Sequence, residues 1–172
     1  MAHHYRSCLE CVALTATLVS WLGSACAAEP DAFSGMVLGG SNSYLAEGSL
    51  ALQEGRVAEG IRLTQEGLKD TSNPREAAIG HSNLCGGYAL LRDWAHALEQ
   101  CNVAIALDHT DWRAFNNRAA VYAGLGQYDL ALADVHAGLE LDPKSSLLQK
   151  SLAVVEHNQR VINRRDHSIL RS

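Results

Sequence analysis

The sequence predicts an all-α chain built on an internal repeat, and three observations carry that expectation. Ala and Leu supply 25 and 24 of the 172 residues, whereas Val and Ile together supply 15. Ala and Leu lose little on entering a helix, while β-branched residues favour strands. Small, aromatic and acidic residues also return every 34 positions along the middle of the chain, a period that marks a repeat architecture. Finally, turn-forming residues such as Gly126 and Pro143 fall between the apolar segments rather than inside them. With 3 Pro and 2 Phe, collagen-like, Pro-rich and aromatic β-rich classes are excluded. A net charge of −5 with no long run of either sign argues against a nucleic-acid partner.

Residues 1–28 read as a secretory signal peptide. A short polar start ending at Arg6 precedes an apolar stretch from Cys11 to Gly23, and Ser24-Ala25-Cys26-Ala27-Ala28 follows. Small residues at −3 and −1 suit cleavage after Ala27 or Ala28. Two alternatives stay open. One is an uncleaved anchor, for which the uncharged run falls just short of the roughly 20 residues a spanning helix needs. The other is a lipid anchor at Cys26, disfavoured because Gly23 stands where Leu is usual. Export to the periplasm or outside the cell is therefore expected, with no membrane insertion after cleavage. Cys8, Cys11 and Cys26 leave with the leader, so the mature chain keeps Cys85 and Cys101. Residues 29–40 read as an irregular arm ending at Gly39-Gly40.

The repeat comes next. Phe115, Ala119, Tyr122, Gly126, Tyr128, Ala131, Gly138 and Pro143 mark a copy over 112–145. One period earlier, Leu84, Cys85, Tyr88, Trp94, Ala97, Ala104 and Asp108 mark a copy over 78–111. A weaker copy over 41–74 carries Tyr44, Gly48, Ala51, Gly55, Val57, Gly60, Gly67 and Leu68, and Arg75-Glu76-Ala77 is inserted after it. This pattern resembles the tetratricopeptide repeat (TPR) family, whose unit is two antiparallel helices with a tight turn. The resemblance implies a right-handed α-solenoid of three such units. The second copy departs from the family at Arg92, where Gly is favoured, and at His109, where Pro is favoured.

Each helix pair leaves an apolar face that only its neighbour covers. A further helix over roughly 144–163 is expected, with Leu147, Leu148, Leu152, Val155 and Ile162 on one face. Gln149, Lys150, Glu156 and Gln159 are expected to face away from the body. Residues 146–172 thus form a capping helix and tail, the alternative being an amphipathic partner-binding helix.

The resemblance also bears on the cysteines. In its register Cys85 lies where the two helices of a pair make closest contact, and Cys101 falls on the same inward face of the second helix. A disulfide between them is expected if the compartment oxidises them. The alternative is a pair of buried thiols packing as small residues.

Catalytic chemistry is not expected. None of His81, His96, His109, His136, His157 and His167 stands four residues from another, and no Cys-x-x-Cys, His-Glu-x-x-His, Gly-x-Ser-x-Gly or phosphate-loop pattern occurs. No metal or cofactor is expected. Asp108 and Asp111 read as a turn residue and a helix cap.

What remains is surface. In the family the first helix of each pair lines a concave groove that receives a peptide or protein segment. Carried over by position, the groove presents Asn42, Leu45, Ser49 and Gln53 from the first copy. The second copy contributes Ile79, Ser82, Asn83, Gly86 and Leu90, and the third Arg113, Asn116, Asn117 and Ala120. For each Asn, a solvated or interhelical hydrogen bond is the competing role. The family's two-carboxylate clamp is rejected: Asn83 and Arg113 match it, but Asn117, Leu45 and Ser49 stand where it needs other groups. Two functions follow, a scaffold or adaptor for a protein or peptide, or a structural module that oligomerises through its end faces.

Overall fold

A computed structural model of the protein describes residues 42–169. The expected leader, its anchor alternatives, the arm and the last tail residues lie outside them. The described residues form helices α1 (Ser43–Gln53), α2 (Val57–Asp70), α3 (Pro74–Leu90), α4 (Trp94–Leu107), α5 (Trp112–Gly124), α6 (Tyr128–Leu141) and α7 (Ser146–Ile169). No strand occurs among them.

Short polar residues start most of these helices. Asn42 accepts from the amides of Tyr44 and Leu45, Asn73 from that of Arg75, Asp93 from that of His96, and Asp111 from that of Arg113. Each such cap contributes on the order of 1 kcal/mol, and Pro74 adds a preset φ at the start of α3. The turns within pairs share one device, a single residue at positive φ: Gly55 at 76°, Arg92 at 58° and Gly126 at 74°. Glycine takes that conformation freely, whereas Arg92 must hold its Cβ against the backbone. Between pairs, the Asp108 carboxylate accepts from both the amide and the hydroxyl of Thr110 and closes the α4–α5 turn.

The helices pack as antiparallel pairs, α1 with α2, α3 with α4 and α5 with α6. Successive pairs stack into a solenoid, and α7 covers α6 and the adjoining side of α5. The tightest approach within a pair recurs at one register position. At Gly48 an added Cβ would lie 2.4 Å from Thr64 Oγ1. The equivalent contacts are Cys85 with Cys101 and Ala119 with Val135, all fully buried. Larger side chains fill between pairs: Leu52, Ile61, Leu84 and Val121 join one core cluster, and Val135 and Val155 a second beneath α7.

Three features go beyond the expected repeat pattern or differ from it. The insertion Arg75-Glu76-Ala77 is absorbed as helix, so α3 has 17 residues where α5 has 13. Asn73-Pro74 begins the helix early, and Arg75 Nε reaches the Asp108 carboxylate at 3.6 Å. The last helix runs to Ile169, beyond the expected end, since no Gly or Pro stops it. Gln159 does not face away as expected. Its amide donates to Asp129 Oδ1 on α6 at 2.6 Å.

One interior polar network carried no sequence signal. Arg118 on α5 grips Asp134 on α6 with two parallel bonds of 2.8 and 2.7 Å and donates a third to Asn102 on α4. Asp134 is buried and Arg118 mostly so. The fork geometry satisfies both charges at once, and the neighbouring carboxylate raises the guanidinium's already high pKa further.

Candidate partner-binding groove

The first helices of the pairs, α1, α3 and α5, lie side by side with α7 continuing the row. Polar side chains at equivalent positions join them. Asn83 Nδ2 donates to the Leu45 carbonyl, 38 residues back. Asn117 Nδ2 donates to both the carbonyl and the hydroxyl oxygen of Ser82, 35 residues back. The Ser151 hydroxyl donates to Asn116 Oδ1, again 35 residues back. The spacing is one repeat plus one residue. At the first junction the three inserted residues lengthen it from 35 to 38.

This ladder corrects the expected groove lining. Ser49, Ser82, Asn83, Asn116 and Asn117 are at most 1% exposed and lie between helices, not on an open surface. An Asn at this position faces the backbone of the preceding first helix only one repeat away, so its amide closes the junction. Leu45 and Gly86 are likewise buried. The Oδ1 atoms of Asn83 and Asn117 have no hydrogen-bond partner, a repeated feature of the two equivalent positions.

Asn42 is half-buried. It caps α1 through Oδ1 and donates from Nδ2 to the Gly67 carbonyl of α2 at 2.8 Å, so both ends of its amide are engaged. Gln53 is exposed and donates to Ser49 Oγ. Ile79, Leu90, Arg113 and Ala120 are partly accessible, and on α7 the equivalent residues are Leu147 and the exposed Val154. Arg113 stacks on the Trp112 ring, 4.4 Å from its centroid, and lies 3.7 Å from Asp111 Oδ1. Burial pushes the Asp111 carboxyl up, opposed in part by Arg113.

Cys85 on α3 and Cys101 on α4 face each other with sulfurs paired and Cα atoms 5.1 Å apart. Among the described residues no cluster of His, Cys, Asp or Glu is placed to hold a metal ion. No described helix is long and apolar enough to cross a membrane.

Helix pairs of this length, their shared turn geometry and the ladder between first helices define a repeat solenoid with a row of first helices along one side. Solved structures similar to it include TPR domains. The first TPR domain of human RPAP3 superposes with a TM-score of 0.60 at 24% identity, over 69% of this chain and 91% of that one. The first TPR of Spaghetti (RPAP3), bound to the HSP90 peptide SRMEEVD, gives 0.59 at 25% identity over 67% and 91%. Among curated proteins, the Hsp70-Hsp90 organising protein of Plasmodium falciparum is 28% identical over 117 residues, 67% of this chain and 45% of that protein. Mouse sperm-associated antigen 1 is 31% identical over 81 residues, 47% of this chain and 9% of its own length. The chain thus spans less than half of either relative. No protein-family model matches it. The chain has the fold of tetratricopeptide-repeat domains.

Proposed function

We propose that the chain is a non-enzymatic adaptor that holds a segment of another protein along the row formed by α1, α3, α5 and α7. One observation carries the proposal: the ladder fixes these helices as a single rigid surface, and Ile79, Arg113 and Leu147 repeat at one register position along it, each partly accessible. A preformed surface loses little entropy on binding an extended segment. The peptide held by the Spaghetti TPR supports the choice of ligand class. The end-face alternative has less behind it, because the first helix carries Ala46, which has no donor, where later helices carry Asn83, Asn117 and Ser151.

An exported location is part of the proposal. The 1–28 sequence and the paired Cys85 and Cys101 both support an oxidising compartment. Expression in a bacterial host with fractionation tests it. Mature protein beginning at Ala28 or Glu29 in the periplasm is expected, and retention of the intact leader in the cytosol overturns it. For the groove, affinity capture from envelope extract is compared between the native chain and Ile79→Asp. Loss of the captured partner with an unchanged melting temperature is expected. Equal capture by both, with the variant folded, rules the groove out.

A further inference from the structure

The side of α1 that carries Glu47 and Leu50 is the one that later first helices turn toward the preceding pair. An added Cβ on Gly87, the equivalent of Leu50, would lie 2.8 Å from Ile61 and 3.1 Å from Leu52. Val121, the next equivalent, is fully buried in the same core cluster. Leu84 and Arg118 stand where α1 has Glu47. Leu84 is 5% exposed, and Arg118 donates to Asn102 of the preceding pair. On α1, by contrast, Leu50 is 45% exposed and Tyr44 44%. End repeats of a solenoid ordinarily turn a polar face outward, so two large apolar side chains here call for cover. At the opposite end α7 supplies it, burying Val135 and Val155.

The chain just before α1 holds matching chemistry. Phe33, Met36, Val37 and Leu38 precede Gly39-Gly40-Ser41, and no charged residue occurs from Ala32 to Ser41. From Asn42 to Leu50 the helix axis advances only about 12 Å. An extended chain from Asn42 back to Phe33 spans up to about 30 Å, enough to run the length of that face. The paired glycines permit the reversal. We infer that segment 33–38 folds back along α1, covers Tyr44 and Leu50, and closes the stack at its first pair. A second copy is the poorer occupant. Joined through Gly39-Gly40-Ser41, the segment acts at an effective concentration of roughly 1 mM, above that of a free chain in dilute solution. A copy related by a two-fold axis would also set the exposed Glu47 against its own equivalent. The uncharged segment avoids that repulsion. With this face closed, the row of first helices is the surface left for partners, although the inference does not depend on the groove.

The test places a photo-crosslinking residue in the full chain, Leu50→p-benzoylphenylalanine, and maps the linked peptides by mass spectrometry. Leu107 on α4, exposed to 41%, takes the same label as a control. A link within one chain from position 50 to residues 33–38, absent from position 107, is expected. A label at position 50 that joins two chains, links to residues 1–28 or forms no crosslink overturns the inference, as does equal linking from position 107. Hydrogen exchange gives a second measurement. In the triple variant Met36→Ser, Val37→Ser and Leu38→Ser, amides of α1 are expected to exchange about tenfold faster, with those of α5 and α6 unchanged. Unaltered exchange along α1 overturns the inference.

Discussion

Asn117 reaches across the boundary between the second and third repeats and donates to both oxygens of Ser82, each at 3.1 Å. Such a buried amide binds two helices that share no sequence neighbourhood. Asn117→Ala is expected to lower unfolding free energy by about 1–2 kcal/mol, since it removes the donor and the unpartnered Oδ1 together. Asn117→Asp removes the donor and sets a carboxylate against the Ser82 carbonyl, so it is expected to cost more than the Ala variant. Urea denaturation of both decides it. The reverse order would show that the bond to Ser82 does not carry the junction.

Arg118 and Asp134 form another interior polar contact. Removing one partner leaves a largely buried charge alone. Asp134→Leu is expected to cost about 2 kcal/mol, below the value for fully buried pairs because Arg118 keeps some solvent contact. The double variant Arg118→Met with Asp134→Leu is expected to recover most of that loss. Additive losses in the cycle would show the two side chains to be energetically independent.

Arg92 occupies the conformation that Gly55 and Gly126 adopt in the other turns. Arg92→Gly relieves the left-handed backbone at the expense of a freer unfolded chain, for a net gain of about 0.5–1 kcal/mol. Gly126→Ala, with no neighbour within 4 Å of the added Cβ, should lose about 1 kcal/mol from backbone conformation alone. Thermal melts should move in opposite directions for the two variants.

Cys85 and Cys101 stand 16 residues apart in sequence. Closing a loop of that size contributes on the order of 3 kcal/mol. The third repeat makes the same contact with Ala119 and Val135, so Cys85→Ala with Cys101→Val should fold with a lower melting temperature and no response to reductant. Alkylation mass analysis of native protein is expected to find both thiols blocked. Two freely alkylated cysteines would end the disulfide assignment.

Asp111 and Asp108 pull in opposite directions as pH changes. Burial raises the Asp111 carboxyl above its unfolded value of 3.8, so the folded state binds the proton more tightly. Stability from this group is greatest at low pH and falls as pH rises from 3.8 through the raised folded value. Thr110 lowers the Asp108 carboxyl, so its contribution is present above 3.8 and fades as pH drops through the lowered folded value. Asp111→Asn keeps a capping oxygen without the desolvated charge. It is expected to raise the melting temperature at pH 7 and to make no difference well below pH 4. A lower melting temperature at pH 7 would mean that the charge at Asp111 stabilises the fold.

The repeat was legible because Tyr88 and Tyr122, or Ala97 and Ala131, return at fixed spacing and size, which packing constrains closely. Cys85 and Cys101 were legible for the same reason, as small residues at a close contact. The role of Asn83 and Asn117 was not. An amide is spelled the same whether it faces water or the backbone of the next helix, and only the stacking distance between first helices decides. Arg118 with Asp134 leaves no repeat signal because the third repeat alone carries it: the second has Leu84 and Gln100 at those positions. The far end of α7 carries no boundary signal, because no Gly or Pro stands there to stop it.

The extra turn at the start of α3 has a consequence for how such arrays change length. Three residues entered the chain, yet the Asn83 contact with Leu45 is kept and every later junction is undisturbed, because the addition lies ahead of the packed part of the helix. Arg75 within it even gained a contact to Asp108. The junction after Asp70 therefore behaves as a permissive seam, where insertions or a grafted helical epitope can be accommodated without resetting the stack on either side.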